Sequence, residues 1–289
     1  MKTAARITLF AAGCGFLALI AGAQESLRGK FFVAEVTGAV TFIAEGRAFE
    51  LHKGDILPAQ GARVETGPAS TVALVFSNGS SVFVDERTNL EIRKFEQLPF
   101  SPGTDTTIVE PSISQTVGSI TVGRMVLSTN DLASGTSMFY DTPHARVKIR
   151  GKQVIIEVRE ADTRVVVPVG DVTVFARDAA TTDAGRLVTD GQMALVAFPS
   201  RGDGAGATGL ERMASIQVLA LPKDVLDLFL PKIGLSERAQ KMVVFETAGD
   251  KSAAGAGSTG GGDIVAKAVL PAELPVPLTV SPSTLRTGR

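Results

Sequence analysis

The sequence predicts an all-β fold, with short strands stacked as a twisted β-helix or roll, a short helical C-terminal segment and a disordered tail. Three observations lead there. From Phe31 to Phe198, runs rich in Val, Ile, Phe and Thr alternate with Gly, Asn and Asp punctuation, which is the pattern of strands and turns. Asn78-Gly79 sits between two such runs, Thr71 to Phe76 and Ser81 to Val84, and an Asn-Gly pair in that position is a strong short-range hairpin signal. Weak repetition completes the case: Gly38-Ala39-Val40-Thr41-Phe42 resembles Gly118-Ser119-Ile120-Thr121-Val122 and Gly170-Asp171-Val172-Thr173-Val174. Each reads as a glycine turn feeding a β-branched strand, with no long helical pattern between copies.

The chain begins with what reads as an export leader over residues 1–23. Lys2 and Arg6 precede an apolar run from Ile7 to Ile20, and Ala21-Gly22-Ala23 is a small-x-small cleavage site before Gln24. The run is too short for a convincing membrane span, so none is expected once the leader is removed. Ala12-Gly13-Cys14 has the small residues of a lipoprotein box, but Gly15 to Ile20 continues the apolar run where a polar tether belongs. Cleavage after Ala23 is therefore expected, leaving a mature chain without cysteine, disulfide or thiol nucleophile. That places the protein in the periplasm or outside the cell. With 289 residues and a formal charge of −1, the chain can bury a core but offers no strong pull on nucleic acid.

The β-domain is expected over 31–198. Pro99 to Gly103 marks a break, and 104–114 reads as an excursion from the sheet. The glycines of the repeat pair unevenly, Gly38 with Gly54 and Gly170 with Gly191. A glycine-rich loop follows at 200–209, then a short helical segment within 210–247. There Val225, Leu226, Phe229 and Leu230 recur at helical spacing, Pro231 interrupts, and Ser236 is a plausible cap for a restart. Residues 248–289 read as a flexible low-complexity tail.

Catalytic chemistry finds little support. The two histidines, His52 and His144, fall in presumed turns, and no zinc-type spacing is present. No G-x-S-x-G elbow occurs. Two formal G-x-G-x-x-G matches, at 204–209 and 255–260, lack the strand-turn-helix context of a dinucleotide site and read as linkers. Asp85, Glu86, Glu157, Glu160 and Asp162 flank strands as solvated polar edges do, although a glycosidase pair among them is the alternative. Asp55 and Asp171 follow turn glycines, where an Asx turn accounts for them without calcium. No residue is assigned as catalytic, cofactor-binding or metal-ligating, and no cofactor is expected.

Taken in order, the strand segments resemble the FecR family of exported bacterial β-domains. Val36 to Val40 is similar to its opening G-x-V, and Leu51-His52-Lys53-Gly54-Asp55-Ile56-Leu57 to its Gly-Asp step. Gly61 to Gly67 resembles G-x-x-V-x-T-G, and Ala73 to Ser80 the apolar strand with its Asn-Gly-Ser turn. Leu90-Glu91-Ile92 closes that half. Thr142 to Gly151 resembles T-P-x-A-x-V-x-I-R-G, with Val169 to Val174 and Gly191-Gln192 as closing steps. Lys152 stands where the family has Thr, and 100–114 looks inserted. The resemblance implies an extracytoplasmic domain without the anti-sigma and transmembrane parts, and offers no catalytic residues. Its glycines at 38, 54, 67, 79, 151 and 170 are expected to supply positive φ or close backbone approach. The expected function is an exported, non-enzymatic binding or scaffold protein of the cell envelope, tied to surface signalling. Its partner is expected to be a protein met through a strand edge or the tail, with polysaccharide as the other candidate. The alternative is a polysaccharide-active enzyme using a carboxylate pair.

Overall fold

The computed structural model describes residues 26–100, 109–177, 185–198, 215–247 and 263–269, and these are mostly strand with one helix. The first half of the chain supplies β1 (Leu27–Arg28), β2 (Lys30–Thr37), β3 (Val40–Ala44), β4 (Arg47–Glu50), β5 (Ile56–Pro58) and β6 (Ala62–Thr66). It continues with β7 (Thr71–Phe76), β8 (Ser81–Val84), β9 (Asn89–Gln97) and the long β10 (Ser114–Ser128). The second half adds β11 (Ser137–Asp141), β12 (Ala145–Ile149), β13 (Gln153–Val158), β14 (Asp162–Val169), β15 (Asp171–Ala176), β16 (Arg186–Thr189) and β17 (Gln192–Ala197). Then come β18 (Ser215–Ala220), helix α1 (Lys223–Gln240), β19 (Val243–Thr247) and β20 (Ile264–Ala268).

The first eighteen strands form two sheets that share β10. One has the order β4-β3-β6-β9-β10-β11-β12-β15-β16, with β1 on β9 beside β6. The other runs β5-β2-β7-β8-β10-β13-β14-β17-β18. The sheets do not close into a barrel: β4, β16, β5 and β18 each pair on one side only among the described residues. β10 pairs with β9 up to Val122, with β13 from Gly123 onward and with β8 from Met125 onward. The crossing is made at Gly123, whose φ of +95 suits glycine, and where a Cβ would come within 2.5 Å of the Thr88 Cα.

The facing sides of the sheets make one core, including Phe31, Leu74, Phe76, Phe95, Tyr140 and Ile156. The far side of the second sheet is also apolar. Phe32, Val75, Phe83, Val126, Ile155 and Val166 pack there against Phe229 and Ile233 of α1 and Phe245 and Ile264 of the β19–β20 pair. The far side of the first sheet has no such cover among the described residues. We call the two the bare sheet and the middle sheet.

All strand pairs are antiparallel except β10 with β11, so the stacked strands take the form of a roll in which the chain passes between sheets, often after two strands. The repeat is real in two of its three places. β2-β3-β4-β5 and β14-β15-β16-β17 both run middle, bare, bare, middle. Gly54 N–H donates to the Val33 carbonyl at 2.8 Å, and Gly191 N–H donates to Val167 at 2.9 Å, the same bond in each copy. Gly118, expected in a turn, instead lies inside β10 opposite Tyr140, where a Cβ would fall 2.4 Å from the ring.

Other expectations are corrected. The 210–247 segment is strand, helix, strand: β18 joins the middle sheet, and α1 is continuous through Pro231. The helix holds because Phe229, Ile233, Ser236 and Ala239 form one buried stripe on both sides of the proline, which forfeits one helical bond. Ser236 is therefore no cap; it is buried against Ser81, with the two hydroxyls 2.7 Å apart. The tail contributes β20 to a hairpin-like pair with β19. The part of the 104–114 excursion that is described, 109–114, packs back through buried Glu110 and ends in Ser114, the first residue of β10. Gly67 has neither positive φ nor a close backbone contact beyond 3.4 Å to Ala39 O. The leader with Cys14, the glycine-rich stretches at 204–209 and 255–260, and 271–282 lie outside the described residues.

Candidate functional site

The carboxylates singled out in the sequence are mostly engaged. Asp85 accepts from Arg124 at 3.0 Å and from Lys232 of α1; Arg124 also donates to Glu157 at 2.5 Å. The Arg124 guanidinium lies 5.2 Å from the Phe229 ring centre. This chain of charges ties the helix to the middle sheet, and Arg124 stands between the two carboxylates. Glu86 accepts the Ala69 N–H at 2.8 Å, Asp162 pairs with Arg159 at 2.8 Å, and Glu160 is exposed. Asp55 accepts the His52 N–H at 2.7 Å, the turn role expected of it, whereas Asp171 reaches toward Arg150 at 3.7 Å.

His52 is exposed, and His144 is buried with Nδ1 3.0 Å from the Thr163 hydroxyl. Among the described residues, no group of three His, Cys, Asp or Glu side chains could hold a metal ion. Among them too, no helix is long and apolar enough to cross a membrane.

The carboxyl that sequence reasoning missed is Glu110. It plugs the rim between the sheets. Its two oxygens accept from Asn78 Nδ2 at 3.3 Å, Ser114 Oγ at 2.5 Å, Ala133 N at 2.8 Å and Thr136 Oγ1 at 2.5 Å. Burial pushes its carboxyl above the usual range, although these four hydrogen bonds pull the other way. Nothing in the sequence marked it, because its partners come from three places in the chain, Asn78, Ser114 and the 133–136 turn. The Asn78-Gly79 hairpin forms as expected but with a three-residue loop, Ser77 to Gly79. Phe76 N–H donates to Ser80 O at 2.8 Å, and only Gly79 has positive φ, +83. Its tip is buried, including Asn78 and Ser80.

A cleft of about 630 Å³ lies among the turns at 130–136, 149–152 and 169–171. Lys148, Arg150 and Lys152 face Asp131, Asp171 and Asp190 across it. Lys152 pairs with Asp131 at 2.8 Å, and Asp190 accepts the Gly170 N–H, so its charges largely answer one another.

The sheet edges differ. β4 carries Arg47 and Glu50, β5 is three residues long and ends in Pro58, and β16 opens with Arg186; charge, proline and shortness all discourage further pairing. β18, Ser-Ile-Gln-Val-Leu-Ala, has none of these protections. All six of its residues pair with β17, and its other edge has no strand partner among the described residues. Leu219 on it is 48% exposed. The alternation of Ile216 and Val218 was a period-two signal for this strand.

No family model matches the chain, and no curated protein matches it. Two crystal structures of a candidate anti-sigma factor from Parabacteroides distasonis are similar in part. Each shares 12% identity at a TM-score of 0.39, over 58% of this chain and 63% or 64% of theirs. The chain thus spans less than two thirds of those structures, and a likeness this low decides neither family nor function.

Proposed function

We propose that the chain is an exported, FecR-like extracytoplasmic domain that binds a protein of the cell envelope, in a role tied to surface signalling, and carries out no catalysis. The observation that supports this reading is the β18 edge. It is a six-residue strand with no charge and no proline, whose outward backbone groups offer pairing to an extended segment of a partner. The engagement of Asp85 and Glu157 by Arg124 supports binding over hydrolysis, since a glycosidase pair needs its carboxyls turned to a substrate.

The test is capture from a native envelope extract by immobilised protein, wild type against Gln217→Lys/Leu219→Lys. Both positions are exposed, so the added charges guard the edge without entering the core. An envelope protein held by the wild type and lost by the variant is the expected outcome. Equal capture by both would overturn the strand-edge reading. The exported chain should begin at Gln24, and an acylated Cys14 in its intact mass would overturn that part.

A further inference from the structure

We infer that the bare sheet carries a second contact for the same partner, a cluster of arginines that receives an acidic protein segment; this rests on the protein-binding reading above. Asp141, at the end of β11, has a side chain only 10% exposed and three guanidiniums around it. Arg93 donates to its Oδ2 at 3.1 Å, and Arg146 and Arg177 each stand 3.6 Å from its Oδ1. The last two distances are beyond a hydrogen bond, and each guanidinium has five N–H donors. One carboxylate therefore gathers three cations without neutralising them. Glu91 takes Arg93 at 3.3 Å, and Arg150 and Lys148 extend the positive row along the same face. Among the described residues, Arg93, Arg146 and Arg177 stand at this cluster against two carboxylates, Asp141 and Glu91, while Lys148 and Arg150 beyond them share the aspartates of the neighbouring cleft.

The backbone is adapted to this. β9 and β10 pair in register on either side of residue 93, but Arg93 itself is skipped: Lys94 faces Val117, and Ile92 faces Gly118. Arg93 is the extra residue of a β-bulge, a device that re-aims a side chain, and it reaches across β10 to Asp141 on β11. Arg177 is held at its backbone by a 2.9 Å bond from its N–H to the His144 carbonyl.

Charge complementarity calls for an anionic partner, and the surroundings favour protein over polysaccharide. Sugar recognition relies on open aromatic faces, but the Phe139 ring is already covered by Arg146 at 4.6 Å and Lys148 at 5.9 Å. The chain has no tryptophan, and its one tyrosine is buried. Planar guanidiniums on a flat sheet suit the carboxylates of Asp and Glu side chains, which they can grip in pairs.

The experiment measures binding of fluorescent poly-L-glutamate by anisotropy at low salt, with polygalacturonate as a second probe. Poly-L-glutamate should bind the wild type, more weakly as salt rises. Arg146→Ala/Arg177→Ala should weaken it about tenfold, with an unchanged circular dichroism spectrum. Glu91→Gln, which removes a competing carboxylate, should tighten it, an effect that misfolding would not produce. Absence of binding, or equal binding by wild type and the double variant, would overturn the inference; tighter binding of polygalacturonate would overturn the choice of partner. The Gln217→Lys/Leu219→Lys variant should still bind poly-L-glutamate, so failure at the strand edge and failure at the arginine cluster are told apart.

Discussion

On the outward side of the middle sheet stand Phe32, Val75, Phe83, Val126, Ile155 and Val166, all buried beneath α1 and the β19–β20 pair. The bare sheet presents Arg63, Glu65, Glu91, Lys94, Arg146 and Thr173 on its outward side instead. One chain builds both sheets, visiting them in turn, and both share a core on their inner sides. The difference is the number of faces that are covered. Where both are, strands read as near-continuous apolar runs, as in Thr71 to Phe76; where one is, they alternate, as in Ala145 to Ile149. The middle sheet is thus committed to stability on both sides, and the bare face is the one free to carry binding charges.

The sharpest way to break this comparison is to strip the cover. Phe229 is 1% exposed, packs on the middle sheet and lies over Arg124. Phe229→Ala should destabilise the protein by about 3–5 kcal/mol, the cost of losing a buried ring and leaving a cavity. A urea melt reads it, and a loss below about 1 kcal/mol would mean that α1 is not part of the folded core.

The rim where the sheets meet is tested next, at Gly79. With φ at +83, a β-branched residue there is strained, so Gly79→Val should cost about 1–3 kcal/mol. The buried turn changes what is expected next to it. Ser80 Oγ donates to Asn78 Oδ1 at 2.7 Å, so Ser80→Ala should cost about 1 kcal/mol and not the near-zero of a solvated serine. Urea midpoints equal to wild type for both variants would refute the turn.

Within the covered regions the buried acids form a second contrast. Asp85 and Glu157 have cationic partners, whereas Glu110 has four neutral donors and a carboxyl raised by burial. A carboxyl raised in the folded state contributes stability that is full below its unfolded value, near 4.5, and is lost as pH rises through the folded value. The stability of wild type relative to Glu110→Gln should therefore increase as pH falls from neutral toward 4.5 and level off below it. Taking the difference between the two proteins cancels the other titrating groups. A flat or opposite trend in melts across that range would show that the four hydrogen bonds outweigh burial.

These regions were not equally legible in the sequence. The strands, the Asn78-Gly79 hairpin and the paired glycines at 38/54 and 170/191 are local patterns, and local patterns can be read. Val72, Leu74 and Phe76, the bulkier alternate set of their strand, face the core between the sheets, with Val82 and Val84 across the turn. The third layer was readable in principle, since runs such as Val165-Val166-Val167 need cover on both faces. The helix was read as two pieces because Pro231 suggested a break, yet tertiary packing of its buried stripe overrides the lost bond. Glu110 and the arginines around Asp141 could not be read, because each assembly draws on residues scattered through the chain.

The smallest expected effect is on the bare face. Lys94 looks well connected: its ammonium donates to Gln115 Oε1 at 2.7 Å and pairs with Glu96 at 3.3 Å. Its side chain is nevertheless 39% exposed, so water competes for each of those contacts, and ordering a long flexible chain has an entropic cost of its own. Lys94→Ala should shift stability by no more than about 0.5 kcal/mol. Set beside Phe229→Ala, that result would show that single charges on the bare face are replaceable as far as folding is concerned. It would leave the bulge that turns Arg93 toward Asp141 in need of a reason other than stability. A loss above about 1.5 kcal/mol would mean instead that the bare face is held together by its ion pairs, and the contrast between the two faces would fall.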